Sequence, residues 1–260
     1  MSLTNLSGSK ASANQFYIAG VGAILLGLYA FSLPACLPQG KTSDKKSLAA
    51  QLGLDAFKLF AEYRMALFFV FSILLGAALQ LSNMYGDAYL SSFPKGTLVE
   101  KYSTIIYSIS QVSETIFILT IPFFLKRFGI KNVMLFALLA WVLRYGFFAY
   151  GSTDFGVFLI VMSCIVYGMA FDFFLISGSM FVEANTDSSI RSSAQGLFIM
   201  MTNGIGAYIG TVASSALIGA FYILPDGQTD WQGAWLLFAG YSLVVAILFL
   251  LLFKDKRQTA

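Results

Sequence analysis

The chain is 260 residues long, 58% hydrophobic and only 11% charged, with a net charge of +3 and no histidine. Soluble domains carry about 25% charged residues, so this composition points to a membrane. There is no basic, aromatic-interleaved patch of the kind that binds nucleic acid. The absence of histidine removes the commonest general base and metal ligand together. Cys36 and Cys164 fall one in a loop and one in a helix, so neither a disulfide nor a metal site is expected, and no cofactor is implied. The first 14 residues are polar with a single lysine, which does not make a signal peptide.

A membrane-spanning helix needs about 20 mostly apolar residues. Seven such runs follow in chain order: 15–33, 65–84, 104–125, 132–150, 156–183, 194–222 and 232–253. The predicted fold class is therefore all-α, a polytopic membrane protein with seven transmembrane helices. The longest connection contains Pro34 and Pro38, turns basic, and ends in SLAAQLGLDAFKLFAEYR, whose helical periodicity predicts a helix on the membrane surface. Lys41, Lys45, Lys46, Lys58, Arg64, Lys126, Arg127, Lys131, Arg191, Lys254, Lys256 and Arg257 all fall on one side of this arrangement. The other side holds only Lys10, Lys95 and Lys101. The positive-inside rule makes the first side cytoplasmic. The expected organisation is an extracytoplasmic N-terminus with the first helix (1–33), a cytoplasmic loop with a surface helix (34–64), a six-helix bundle (65–253) and a cytoplasmic tail (254–260). Trp231 and Trp235 then suit the outer interface. One helix, a long basic loop and six more helices look like the second part of a twelve-helix carrier; a complete seven-helix protein is the alternative.

Two carboxylates interrupt the apolar runs. Glu114 lies halfway along 105–125 and Asp172 halfway along 157–182. A charge at mid-bilayer costs at least about 2.5–3.5 kcal/mol, so such residues face a cavity and act there. The second and third runs carry related tetrads, Gln80-Leu81-Ser82-Asn83 and Gln111-Val112-Ser113-Glu114. In each, the polar pair is three residues apart and shares one helix face. Amides so spaced offer donors and acceptors to a planar, two-edged ligand such as a nucleobase, and a carboxylate beside them accepts from sugar hydroxyls. Interhelical bonding is the competing role. Tyr167 and Phe171, four apart, offer a stacking surface next to Asp172; an ordinary core or lipid-facing role is open for Phe171. Glu114 and Asp172 are the candidates for proton coupling, with substrate bonding alone as the alternative.

Other residues are less specific. Arg144 lies near the outer end of its helix, where it either snorkels to the surface or forms a salt bridge. Gln195, Thr202 and Asn203 either line a pocket or, with Gly204, Gly206 and Gly210, serve close helix packing. Glu183, Arg191 and the 126–131 loop are possible gate contacts or ordinary inner loops. No hydrolytic or transfer constellation is present, so an enzyme is not expected. A retinal protein needs a lysine within a span and finds none here; a seven-helix ligand-sensing receptor stays as an alternative.

The segments ALQLSNMYG (78–86), SQVSETIFILTIPFFLKRFGIKNVM (110–134), VYGMAFDFF (166–174), ISGSMFVE (176–183), IRSSAQGLFIMMTNG (190–204) and DWQGAWLLFAGYS (230–242) resemble the nucleoside:proton symporter family of the major facilitator superfamily. The resemblance covers nearly the whole chain. It matches the last helix of the N-terminal half, the central loop and the whole C-terminal half of such a carrier. It implies a transporter of the cytoplasmic (inner) membrane, N-terminus outside and C-terminus inside, that imports nucleosides such as uridine and adenosine with protons. The family's substrate contacts carry over onto Gln80, Asn83, Gln111, Glu114, Tyr167, Phe171 and Asp172. Leu175 departs from the pattern, which has Asn after the FDFF run. Alternating access needs two halves, so the implied partners are nucleosides, protons, membrane lipid and an N-terminal half. A split carrier, a pair of identical halves and a transport-inactive fragment are the remaining alternatives.

Overall fold

The computed structural model describes residues 13–34, 53–153 and 156–254. The chain divides into two compact units, Met1–Lys46 and Ser47–Ala260. In the first unit, helix α1 (Asn14–Ala30) is 17 residues long. Turn-type backbone bonds from Phe31, Ser32 and Leu33 continue it towards Pro34. The run expected at 15–33 is therefore helical, but its α-helical part falls short of the span length. Lys41, Lys45, Lys46 and Cys36 lie outside the described residues.

Five helices among the described residues are long and apolar enough to cross a membrane. All belong to the second unit: α2 (Tyr63–Ser91), α3 (Ser103–Ala149), α4 (Val157–Ala184), α5 (Arg191–Phe221) and α6 (Trp231–Leu252). Four of them match single expected spans. Helix α3 holds two, 104–125 and 132–150, in 47 continuous residues. The merger is only formal, because Gly129 breaks the helix with φ 75° and ψ 166°. Only glycine enters that region without a steric penalty. The chain reverses there: Phe124 and Phe136, twelve residues apart, bring their ring centres to 6.3 Å. The Arg144 guanidinium comes to 6.0 Å from the Tyr107 ring; a straight helix would separate these residues by about 55 Å. The inner loop expected at 126–131 is thus a single-residue break between two arms, 103–128 and 130–149.

The expected surface helix proves to be a short 3-10 segment, Leu54–Ala61, in its described part. It begins at Gly53 (φ 73°) and is cut from α2 by the extended Glu62. Phe60 packs on Phe69 of α2 at 5.0 Å, and an added Cβ on Gly53 would touch Ser193 at the start of α5. This stretch is seated on the bundle.

Small residues set the tightest helix contact. A Cβ on Gly206 would stand 2.5 Å from the Ile73 carbonyl oxygen, and one on Gly210 2.8 Å from the Ala77 backbone. A Cβ on Gly76 would collide with the Thr202 carbonyl. Helices α2 and α5 therefore pack backbone to backbone, which extends the expected Gly206-xxx-Gly210 motif to a reciprocal contact. Within α5, Met200–Gly206 widens into a π-helix at this crossing. Helix α6 starts where Asp230 accepts the Gly233 N–H at 3.0 Å, a capping bond. Trp235 of α6 is fully buried. It stacks on Tyr145 at 5.6 Å and meets Phe148 and Tyr89 at 5.1 and 5.5 Å. The Trp235 ring is thus packed among aromatic side chains of α2, α3 and α6.

Substituting Gly76 by Ala should force α2 and α5 apart and cost about 1–3 kcal/mol, as overpacking does. The check is the thermal midpoint of the purified protein, with Gly219→Ala as control, since a Cβ at Gly219 meets nothing within 4 Å. A clear drop for Gly76→Ala alone is expected.

Candidate functional site

Three helices carry the expected site residues. Helix α2 presents Gln80, half-buried, and Asn83, exposed, one turn apart on one face. The first arm of α3 presents Gln111, exposed, and Glu114, half-buried. Helix α4 contributes Tyr167 and Asp172, both buried, and the partly buried Phe171.

Cross-helix bonds next to these side chains hold the three elements together. Tyr107 of α3 donates its hydroxyl to the Ser82 carbonyl at 3.0 Å, between Gln80 and Asn83. Its ring fills the space beside Gly86, where a Cβ would stand 2.5 Å from it. Ser113, the neighbour of Glu114, donates to the Ile165 carbonyl of α4. That approach is possible because Gly168 lacks a side chain; a Cβ there would come within 2.6 Å of the Ser113 backbone. Asp172 is 5% exposed, and its Oδ2 has no hydrogen-bond partner among the described residues. Tyr167 and Phe171 stack at 5.8 Å with their planes 7° apart. The fold thus packs against one another the helices α2, α3 and α4 that carry the amides, the two carboxylates and the paired aromatic rings. A ligand with a flat ring and several hydroxyls could use all three features.

Arg144 behaves as neither alternative foreseen. It is fully buried, so it does not snorkel, and among the described residues no carboxylate pairs with it. Its Nε and Nη2 donate to Ser82 Oγ at 3.0 and 2.8 Å, and Nη1 donates to the Ser163 carbonyl at 2.9 Å. The guanidinium carbon lies 4.2 Å from the Tyr167 ring centre. Sequence reasoning missed this partnership, although Ser82 sits inside the tetrad that marked α2. Tyr107 was missed too; only its position one helical turn before Gln111 could have drawn notice.

The secondary candidates divide. Gln195 donates to the Ser179 carbonyl at 2.7 Å and accepts from the Ser179 hydroxyl at 3.1 Å, so it ties α5 to α4. Thr202 is buried and turns its hydroxyl back to the Phe198 carbonyl. Asn203 is exposed. Glu183 and Arg191 form an ion pair at 3.5 Å across the turn between α4 and α5.

The chain is similar to known proteins in sequence and in structure. The family model described as "Nucleoside H+ symporter" matches residues 1–258. The nucleoside permease NupG of Escherichia coli (strain K12) is 50% identical over 262 residues, covering 98% of this chain and 62% of that protein. The xanthosine permease of the same organism is 51% identical over 251 residues, covering 94% and 59%. A crystal structure of a mutant of the nucleoside transporter NupG matches with a TM-score of 0.84 at 50% identity, over 97% of this chain and 63% of that one. The chain thus spans less than two thirds of the length of these relatives. With its long apolar helices it is an integral membrane protein. On the family match over nearly its whole length, the chain belongs to the nucleoside H+ symporter family, a family of transporters rather than enzymes.

Proposed function

We propose that this chain supplies the nucleoside-binding half of a proton-coupled carrier that brings nucleosides such as uridine and adenosine across the inner membrane. The observation that carries the reading is the meeting of a stacked Tyr167–Phe171 pair with Asp172, whose Oδ2 is buried without a partner, in the interior of a membrane-length helix. Gln80, Asn83 and Gln111 orient the base through their amides. Phe171 and Tyr167 pack against it. Glu114 and Asp172 accept from sugar hydroxyls or exchange the coupled proton. On this reading the break at Gly129 separates two spans, α1 supplies one more, and the total is seven, with the N-terminus outside and the C-terminus inside.

The first arm of α3 supports a second half as partner. Thr104, Ser108, Gln111 and Thr115 are all exposed and recur at helical spacing on one face. A polar stripe of that length is poorly matched to hydrocarbon; it suits a water-filled path or another polar helix. The half that covers it lies on the same longer chain or on another. In a second reading, favoured by this polar stripe, the chain binds nucleoside and translocates only with that half.

Uptake of labelled uridine and adenosine by transport-deficient cells expressing the chain tests the proposal. Uncoupler-sensitive uptake is expected if the chain transports. In the second reading, uptake should need co-expression of an N-terminal half from a relative. Protein that reaches the membrane but transports in neither setting contradicts both readings. In whichever setting transports, Asp172→Asn or Glu114→Gln should remove the proton dependence of uptake, by about tenfold or more if a buried carboxylate carries the coupled proton. Coupling that survives both substitutions would show that neither acid carries it.

A further inference from the structure

Arg144 is the one guanidinium fully buried in the described bundle, and its position has a cost. A buried cation without an anionic partner is strongly disfavoured unless its donors are satisfied. Three of its N–H groups are, but all by neutral oxygens: two by Ser82 Oγ and one by the Ser163 carbonyl. Ser163 returns the contact by donating its hydroxyl to the Arg144 carbonyl at 2.8 Å. Apolar residues of similar volume would hold three helices together at least as well. What an arginine adds is a flat, charged plate with donors at its edge.

That plate faces aromatic rings. Its carbon lies 4.2 Å from the centre of Tyr167, 5.0 Å from Phe148 and 6.0 Å from Tyr107, all within cation–π range. Tyr167 in turn stacks on Phe171 almost in parallel. Trp141 closes on Tyr167 edge-on, 5.8 Å away at 87°. The column therefore runs guanidinium, phenol, phenyl. Its near end is pinned to α2 through Ser82, whose neighbours one and two positions away are Asn83 and Gln80. One side chain thus relates the amide face of α2 to the aromatic face of α4.

We propose that Arg144 is the positioning residue of the nucleoside site: through the Tyr167 ring it sets the Phe171 face, and through Ser82 it sets the helix segment that carries Gln80 and Asn83. Arg144 itself does not touch the nucleoside. The inference rests on the nucleoside-site reading above. A lysine at this position keeps the charge and loses both the fork and the plate, so it should not substitute.

The test uses the full 260-residue chain in lipid nanodiscs, with labelled uridine as the probe. Arg144→Lys should weaken uridine binding by about tenfold, about 1.4 kcal/mol, while the thermal midpoint stays within a few degrees of the unaltered protein. Phe171→Leu should weaken binding by a similar factor. Because part of the action of Arg144 runs through that ring, the double variant should lose clearly less than the sum of the two single losses. Unchanged binding in Arg144→Lys, or fully additive losses in the double variant, would overturn the proposal. Fluorotyrosine NMR supplies a reading independent of ligand, with the Tyr167 signal identified by its loss in Tyr167→Phe. Arg144→Lys and Arg144→Met should both move that signal; a signal that stays in place would overturn the proposal too. If the unaltered chain binds no uridine, the nucleoside-site reading fails, and the Tyr167 signal alone then decides whether Arg144 orients the ring.

Discussion

Hydrocarbon offers no hydrogen bonds, so a polar group inside a span must find its partner within the protein. The interior of this bundle is arranged around that constraint. Tyr145 donates to the Ala78 carbonyl, Tyr241 to the Leu74 carbonyl and Tyr89 to the Phe148 carbonyl. Each bond ties a ring on one helix to the backbone of another. The Arg144 fork is the most demanding case, and it ties three helix segments at once. Asp172 Oδ2 is one of several buried polar atoms without a hydrogen-bond partner among the described residues, Trp141 Nε1 and Trp235 Nε1 among the others; as a carboxylate oxygen it is the costliest of these to leave bare. On the proposed function, a ligand or a proton occupies that oxygen.

Two kinds of helix contact divide the work. Between α2 and α5 the backbones touch through Gly76, Gly206 and Gly210, with little room for side chains. Between α2, α3 and α4 the contact is made by aromatic and polar side chains, and the exposed amides Asn83 and Gln111 border it. The first is suited to rigid packing. The second leaves hydrogen-bonding groups at the surface of the unit, where a second half and a substrate could meet them. The π-helical stretch Met200–Gly206 lies on the rigid side; wide turns of this type recur at functional sites, and here the stretch places the Thr202 carbonyl directly over Gly76.

Much of this was legible in the sequence because hydropathy reports span positions directly. Four of the seven expected spans coincide with single helices, two share α3 and are divided at Gly129, within the loop read from its charges, and the run at 15–33 forms a helix of only 17 residues. The tetrads and the YGMAFDFF segment marked three elements that do come together, since polar residues on apolar helices must find partners inside the protein. What the sequence could not supply was the partner of each polar group. Arg144 has a spacing compatible with the outer surface, and only the fold reveals Ser82, Ser163 and Tyr167 around it. The aromatic cluster around Trp235 was equally invisible, because burial within a bundle is not encoded by position along a helix. Gln195 resembled a pocket residue, and its Ser179 partner is sixteen residues away on another helix.

The central claim is that nucleoside binding on the α2–α3–α4 face is linked to a proton. Isothermal titration of uridine into the nanodisc-embedded chain, in two buffers of different ionisation enthalpy at one pH, measures that link directly. The account predicts binding heats that differ between the buffers, and that become equal in Asp172→Asn or in Glu114→Gln. Measurable binding with the same heat in both buffers would contradict it.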